Sequence, residues 1–333
     1  MRTRTKSLLF GAFVILLLQA CGTTEPVLPR EGSGPAVQGS ETYGVQVTEG
    51  VIYAEGLSHD TWNGSSTTRM QLPLDVYEPI GAPDGRPAII IIHGGGFHSG
   101  SRAQGSLVDH AEYFASRGWV AFSIDYRLER NYGTLPSEWV DFADANFSGG
   151  DREQVKALYP AGRDAKAAVR WVYSQADTYA INTDYITVMG GSAGAYLSVM
   201  LGTTEEEDYR DELSEVDDAT LSTTNLDQPA KVHTIIDYWG GDGLVDALQT
   251  VYGHNRFDAL DAPIMIAHGD KDDVVLFTEA EDLQAAYEET GVNYAFYHLD
   301  GQKHGAWGAK YDGKYLDRLS FDFIVEQQDL TIE

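Results

Sequence analysis

Six short apolar runs recur along the chain: "AIIIIH" (88–93), "WVAFSID" (119–125), "YITVMG" (185–190), "VHTIIDYW" (232–239), "PIMIAHG" (263–269) and "YAFYHL" (294–299). A strand with one wet face alternates apolar and polar residues, so runs without alternation predict strands covered on both sides. Between them, apolar residues recur at helical spacing over 106–118, 162–176, 195–202, 279–291 and 313–328. Strand alternating with helix predicts an α/β domain on a mostly parallel sheet. Two connections, 128–161 and 203–230, are too long for simple turns, and sites in such domains lie at the carboxyl ends of the strands. The first carries Tyr132, Trp139, Phe142 and Phe147 among acidic residues, and reads either as a wall or lid over a site or as surface packing.

The chain opens on Met1-Arg2-Thr3-Arg4-Thr5-Lys6, followed by "SLLFGAFVILLLQA" and Cys21. A membrane span takes about 20 apolar residues. This run is shorter, follows a basic start and closes on small Ala20, the plan of a cleaved signal peptide at 1–20. Leu18-Gln19-Ala20-Cys21 resembles the lipobox of bacterial lipoproteins. That resemblance implies lipidation at Cys21 and a place on a bacterial envelope membrane, held by the N-terminal lipid anchor alone; the alternative is a plain secretory signal with an incidental cysteine. Residues 21–45, rich in Gly, Pro, Ser and Thr, predict a flexible tether, and 46–333 a single domain. Cys21 is the only cysteine, so a lipidated chain has no disulfide and its stability must come from its core.

The formal net charge of −28 argues against nucleic acid as a partner. Much of it sits in "EEEDYRDELSEVDD" (205–218), which reads as a solvated surface. The sequence carries no signal for an oligomeric state.

Candidate chemistry begins with Gly190-Gly191-Ser192-Ala193-Gly194, a serine among small residues where an apolar run turns into a helical pattern. A strained strand-to-helix turn of this kind exposes a nucleophilic Oγ, although small residues also cluster in ordinary turns. The run "AIIII" ends in His93-Gly94-Gly95-Gly96-Phe97, where consecutive glycines let backbone N–H groups converge on a developing negative oxygen. Serine chemistry needs a base and an orienting acid, and the later sequence offers both: His268-Gly269-Asp270-Lys271-Asp272-Asp273, then His304 between Lys303 and Gly305. Asp270 and Asp273 compete with Asp272 for the acid's place, and His298, inside a strand pattern, competes with His304. His59, His110, His233 and His254 lack metal-ligand spacing; His98 can line a pocket.

The order HGGG, G-x-S-x-G, H-G-x-x-D and a final His, over about residues 70 to 325, resembles the α/β-hydrolase esterases, in particular the hormone-sensitive-lipase-like and related bacterial carboxylesterases. The resemblance implies an α/β-hydrolase fold with a mostly parallel central sheet flanked by helices. It implies Ser192 as nucleophile, Asp272 as acid, His304 as base, and the N–H groups of Gly95, Gly96 and Ala193 as the oxyanion hole, with His93 pinning the glycine loop. No metal and no cofactor is expected. Gly191 and Ala195 depart from the G-D-S-A-G-G of many relatives, which leaves the subfamily open. The substrate is expected to be a small-molecule or polysaccharide ester, short-chain or carbohydrate-linked (acetyl or feruloyl). General carboxylesterase, lipase or polyester hydrolase activity is the alternative, and an inactive binding protein on the same scaffold is the rival from another class.

Overall fold

The computed structural model of the chain describes residues 29–333, so the expected signal peptide at 1–20, Cys21 and the start of the expected tether lie outside the described residues. Eight strands form one sheet: β1 (Val45–His59), β2 (Thr67–Pro79), β3 (Arg86–Ile92), β4 (Val120–Ile124), β5 (Ile181–Gly191), β6 (Thr234–Tyr238), β7 (Ile264–Gly269) and β8 (Tyr294–Leu299). Across the sheet they run β1-β2-β4-β3-β5-β6-β7-β8. The first two form an antiparallel hairpin, β2 lies antiparallel on β4, and every later pairing is parallel. The helices are α1 (Gly105–Ala115), α2 (Ser137–Asn146), α3 (Gly149–Ser174), α4 (Ala193–Thr203), α5 (Gly243–Tyr252), α6 (Phe277–Thr290) and α7 (Leu316–Gln327).

Why "AIIII" has no polar face is now plain. Ile90 and Ile92 pack into one core cluster with α3, α4, α5 and α6, whereas Ile89 and Ile91 point the other way into a second cluster with α1 and α7. A strand with helices on both sides has no wet face to mark. The hairpin β1–β2 escaped the sequence reading for the opposite reason. Its outer strand is largely solvated, and its register shifts between Thr48 and Val51 and again between Ile52 and Ala54, so no clean period survives.

The long connection 128–161 is mostly helical. It holds α2 and the first part of α3, the latter starting at Gly149 rather than at 162. Pro160 lies inside α3 and forfeits one ladder hydrogen bond. The helix continues because Ala157, Ala161, Ala165 and Ala168 are buried along it, and the proline ring packs on Gly133. Trp139 is fully buried and donates its indole N–H to the Val155 carbonyl at 2.9 Å, tying α2 to α3.

The acidic stretch 205–218 is likewise only partly solvated. Asp208 is buried in a two-bond pair with Arg256, and Asp218 is buried beside Arg163 and Arg127. A charge run is solvated only where no cation comes from elsewhere in the fold, and the fold supplies three here.

A further correction concerns the expected tether. Ala36–Val37 pairs in parallel with Thr331–Ile332, Arg30 bridges to Ile332, and Val37 is buried with Leu330 and Ile332. Gln38 donates to the Arg117 carbonyl, and Thr42 and Tyr43 donate to that of Ser116, so 30–43 lies along the body beside the turn that joins α1 to β4. Composition favoured a free segment, but one apolar residue with a groove to fill and a strand edge to pair reversed it. Among the described residues no helix is long and apolar enough to cross a membrane.

Candidate active site

The chain leaves β5 at Gly191 and enters α4 at Ala193, so Ser192 alone makes the turn. It does so at φ +56° and ψ −126°, a conformation that L residues rarely adopt. The glycines of the motif are there for clearance. A Cβ on Gly190 would lie 2.3 Å from the Gly194 carbonyl carbon, and one on Gly194 would lie 2.1 Å from the Ile92 oxygen. The Ser192 carbonyl accepts from Ala195 and Tyr196, which starts the helix, and the Ser192 N–H donates to Tyr238 on β6.

Ser192 Oγ lies 2.9 Å from His304 Nε2, and His304 Nδ1 lies 2.7 Å from Asp272 Oδ2. Three residues, drawn from the ends of β5 and β7 and from the loop after β8, thus form one hydrogen-bonded chain. Asp272 is held in turn, because its Oδ1 accepts from the N–H groups of Val274 and Val275 at 2.9 and 3.0 Å. Its Oδ2 also lies 3.3 Å from His268 Nε2. Burial lowers the pKa of His268, and its Nε2 lies 2.9 Å from the Val275 carbonyl, so the neutral ring carries its proton on that nitrogen. The support from His268 went unread in the sequence, although the four-residue spacing to Asp272 was its signal. The His304 ring stands edge to face with Trp239, 6.4 Å between centroids, and Trp239 with Trp307 at 4.9 Å.

The glycine loop lies against the elbow: a Cβ on Gly94 would lie 2.6 Å from the Gly191 oxygen. Gly95, Gly96 and Phe97 have φ of +111°, +61° and +64° in succession. Among the described residues neither the Gly95 nor the Gly96 N–H has a hydrogen-bond acceptor. Ala193 opens α4, so its N–H is one of the free donors of a helix start. The three expected donors thus lie on the loop and helix start flanking Ser192. His93 Nδ1 sits 2.7 Å from the Gly94 carbonyl, its ring stacked on Tyr126 at 4.2 Å. His98 pairs with Glu129 and stays half exposed.

The rival residues go elsewhere. His298 packs on Phe277 with its Nε2 3.7 Å from Asp270 Oδ2, and Asp273 is exposed. Asp270, His298 and Asp300 bring three atoms able to ligate a metal within 4.8 Å of one another. Asp270 there is already engaged by Lys271 at 3.0 Å and by the Gly301 N–H at 2.7 Å.

Next to Ser192 opens a cavity of about 340 Å³ lined by Phe97, Leu158, Tyr196, Leu244 and Val275 among others. The first turns of α3 form one wall of it, so the connection 128–161 does border the site. Gln154, also on that wall, donates its side-chain N–H to the Gly96 carbonyl at 3.0 Å. Nothing in the sequence marked Gln154, Tyr196 or Leu244. Below Tyr196, Asp237 is fully buried with one carboxylate oxygen accepting from Gly240 and the other without a partner, and burial pushes its pKa up to about 7.

Comparison with known proteins follows the same lines. The family model BD-FAE matches residues 74–147 and 142–259. Esterase LipC of Mycobacterium tuberculosis is 26% identical over 253 residues, 66% of this chain and 55% of its own length. The cAMP-regulated D2 protein of Dictyostelium discoideum is 34% identical over 141 residues, 41% of this chain and 23% of its own. The chain thus spans about half of the first of these relatives and a quarter of the second. Among solved structures, esterase 2 of Thermogutta terrifontis superposes with a TM-score of 0.58 at 23% identity, covering 85% of this chain and 94% of that one. That protein has been solved with propionate and with butyrate bound and phosphorylated by paraoxon. The likeness carries the fold, which is that of the α/β-hydrolases.

Proposed function

The chain belongs to the BD-FAE family, and on that footing we propose that it is a serine carboxylic-ester hydrolase acting through an acyl-enzyme. The observation that carries the reading is the unbroken chain of contacts, 2.9 and 2.7 Å, from Ser192 Oγ through His304 to Asp272. His304 Nε2 takes the Ser192 proton as Oγ bonds to the ester carbonyl carbon. The carbonyl electron pair moves onto oxygen, where the N–H groups of Gly95, Gly96 and Ala193 receive it. Asp272 holds the imidazolium through Nδ1. As the carbonyl re-forms, the bond to the alcohol breaks and the alcohol oxygen takes the proton from His304. Water then attacks the acyl-enzyme, giving its proton to the same nitrogen, and Ser192 leaves with that proton restored. Side chains and water suffice for each step.

The substrate reading is a short-chain or carbohydrate-linked ester, acetyl or feruloyl, with general carboxylesterase activity as its near neighbour. Supporting it is a largely apolar cavity beside Ser192 of about 340 Å³, which has room for an acyl group. The propionate and butyrate held by the Thermogutta terrifontis esterase point the same way. Anchorage to a bacterial envelope membrane through lipidated Cys21 belongs to the same proposal and rests on Leu18-Gln19-Ala20-Cys21. Release of a Cys21→Ser variant and the parent chain in equal soluble fractions would remove it.

The test is turnover of nitrophenyl esters with two to twelve acyl carbons, methyl ferulate and acetylated xylan by residues 29–333, with Ser192→Ala alongside. Serine-dependent turnover that falls with acyl length is expected, with one covalent phosphoryl group per chain after paraoxon. A wild type as inert as Ser192→Ala toward both esters and paraoxon overturns the reading.

A further inference from the structure

We infer that Gln154, on the first turns of α3, is a positioning residue that holds the glycine loop in the shape its oxyanion donors require. The inference rests on the acyl-transfer reading above.

The glycine loop is unusual in carrying three positive φ angles in a row, at Gly95, Gly96 and Phe97. Phe97 has a side chain, so its φ of +64° is a strained state that persists only where the surroundings impose it. The surroundings can be read carbonyl by carbonyl. That of His93 accepts from the Tyr126 hydroxyl, that of Gly94 from the His93 ring, and that of Gly95 from the His98 and Ser99 N–H groups. The Phe97 carbonyl accepts from the Glu129 N–H at 2.9 Å. The Gly96 carbonyl alone is held from across the cavity, by Gln154 at 3.0 Å. Only the nitrogen of an amide can donate to a carbonyl, so the chemistry fixes which end of the Gln154 side chain points at the loop.

A peptide unit is planar, so pinning a carbonyl also pins the N–H of the next residue. The Gly95 carbonyl fixes the plane on one side of the Gly96 Cα, and Gln154 fixes the plane on the other. Glycine has no side chain to limit rotation about that atom. Without Gln154 the 96–97 plane is free to turn over and Phe97 to relax; the His98 and Ser99 N–H groups that hold the Gly95 carbonyl lie beyond Phe97, so their grip on the plane that carries the Gly96 N–H loosens with it. Gln154 also borders the cavity that holds Ser192, so its loss is felt where the reaction occurs.

Two variants separate this role from packing. Gln154→Met keeps length and volume but cannot donate. For nitrophenyl acetate its kcat is expected to fall by about ten-fold with KM within about two-fold of wild type, because the lost interaction serves the transition state. Its rate of phosphorylation by paraoxon should fall in parallel. Gln154→Glu places a carboxylate against the Gly96 oxygen at high pH, but a neutral carboxyl, a donor, at low pH. Its kcat relative to wild type should therefore rise as pH falls from 8 to 5, while the same ratio for Gln154→Met stays level. If Gln154→Met fails to fold, the pH dependence of Gln154→Glu decides alone. Either a Gln154→Met kcat within about two-fold of wild type, a rise in KM alone, or a level ratio for Gln154→Glu overturns the inference and leaves the acyl-transfer reading standing. An inert wild type overturns both.

Discussion

The backbone of Ser192 is where catalysis and stability oppose each other. At φ +56° and ψ −126° the residue sits outside the regions open to an L side chain, and such strain costs about 1–3 kcal/mol. Ser192→Ala and Ser192→Gly both remove the Oγ and its bond to His304, so the difference between them isolates the backbone. Glycine relieves the strain but is freer when unfolded, which returns about 0.4–1 kcal/mol. The glycine variant should therefore be the more stable by about 0.5–2 kcal/mol. With an unfolding entropy near 2.1 cal/mol/K per residue over about 300 residues, 1.5 kcal/mol corresponds to about 2–3 °C in Tm. Scanning calorimetry of the two purified variants measures this, and both should be inactive toward nitrophenyl esters. A glycine variant that melts at or below the alanine variant would refute the claim that the elbow stores strain.

Other outcomes follow from the same structure. Asp272→Asn should lower kcat on nitrophenyl acetate by about 10³–10⁴-fold, whereas Asp270→Asn and His298→Ala should stay within a few-fold of wild type; equal losses in all three would undo the assignment. Asp237 is fully buried with a folded-state pKa near 7, above its unfolded value, so its contribution to stability is complete below about pH 4 and is lost as pH rises toward 7. A shift of about 3 units amounts to an upper bound of about 4 kcal/mol. Urea unfolding of Asp237→Asn should accordingly fall less steeply between pH 5 and 8 than that of wild type, and parallel curves would show that Asp237 does not titrate in this window. Arg127, buried and bonded to both oxygens of Asp164, should cost about 3–5 kcal/mol as Arg127→Ala, through the carboxylates it leaves buried with one cation fewer. An unchanged urea midpoint would count against that.

Legibility followed the physics of each element. Core strands such as β3 stand out because burial on both faces erases polar residues over a continuous run, as in Ile89 to Ile92, whereas the edge strand β8 is only half-buried. The elbow and glycine loop are legible because close backbone approach admits only glycine, so sterics write directly into letters. Gln154 is invisible for the converse reason: one polar residue on a half-exposed helix face looks like any other until the loop it reaches is in place. Asp208, Asp218, Arg127 and Arg256 were hidden because an ion pair is a property of two distant segments, and neither segment alone shows whether its charge is solvated. Val37 was missed because a single apolar residue in a Gly- and Pro-rich stretch has no period to betray the groove it fills.

The docked segment at 30–43 has a consequence for how the molecule can be held. It runs beside the turn at 116–118, at the amino ends of the parallel strands, and pairs with the last residues of the chain. Ser192, Asp272 and His304 lie beyond the carboxyl ends, and a seven-residue strand such as β3 spans about 23 Å. Residues 30 and 333, between which the described body runs, therefore lie on the face opposite the cavity beside Ser192. A molecule fixed by either end to a bead, a partner or a bilayer turns its reactive face outward, where a large or insoluble polymer can approach without competing with the attachment.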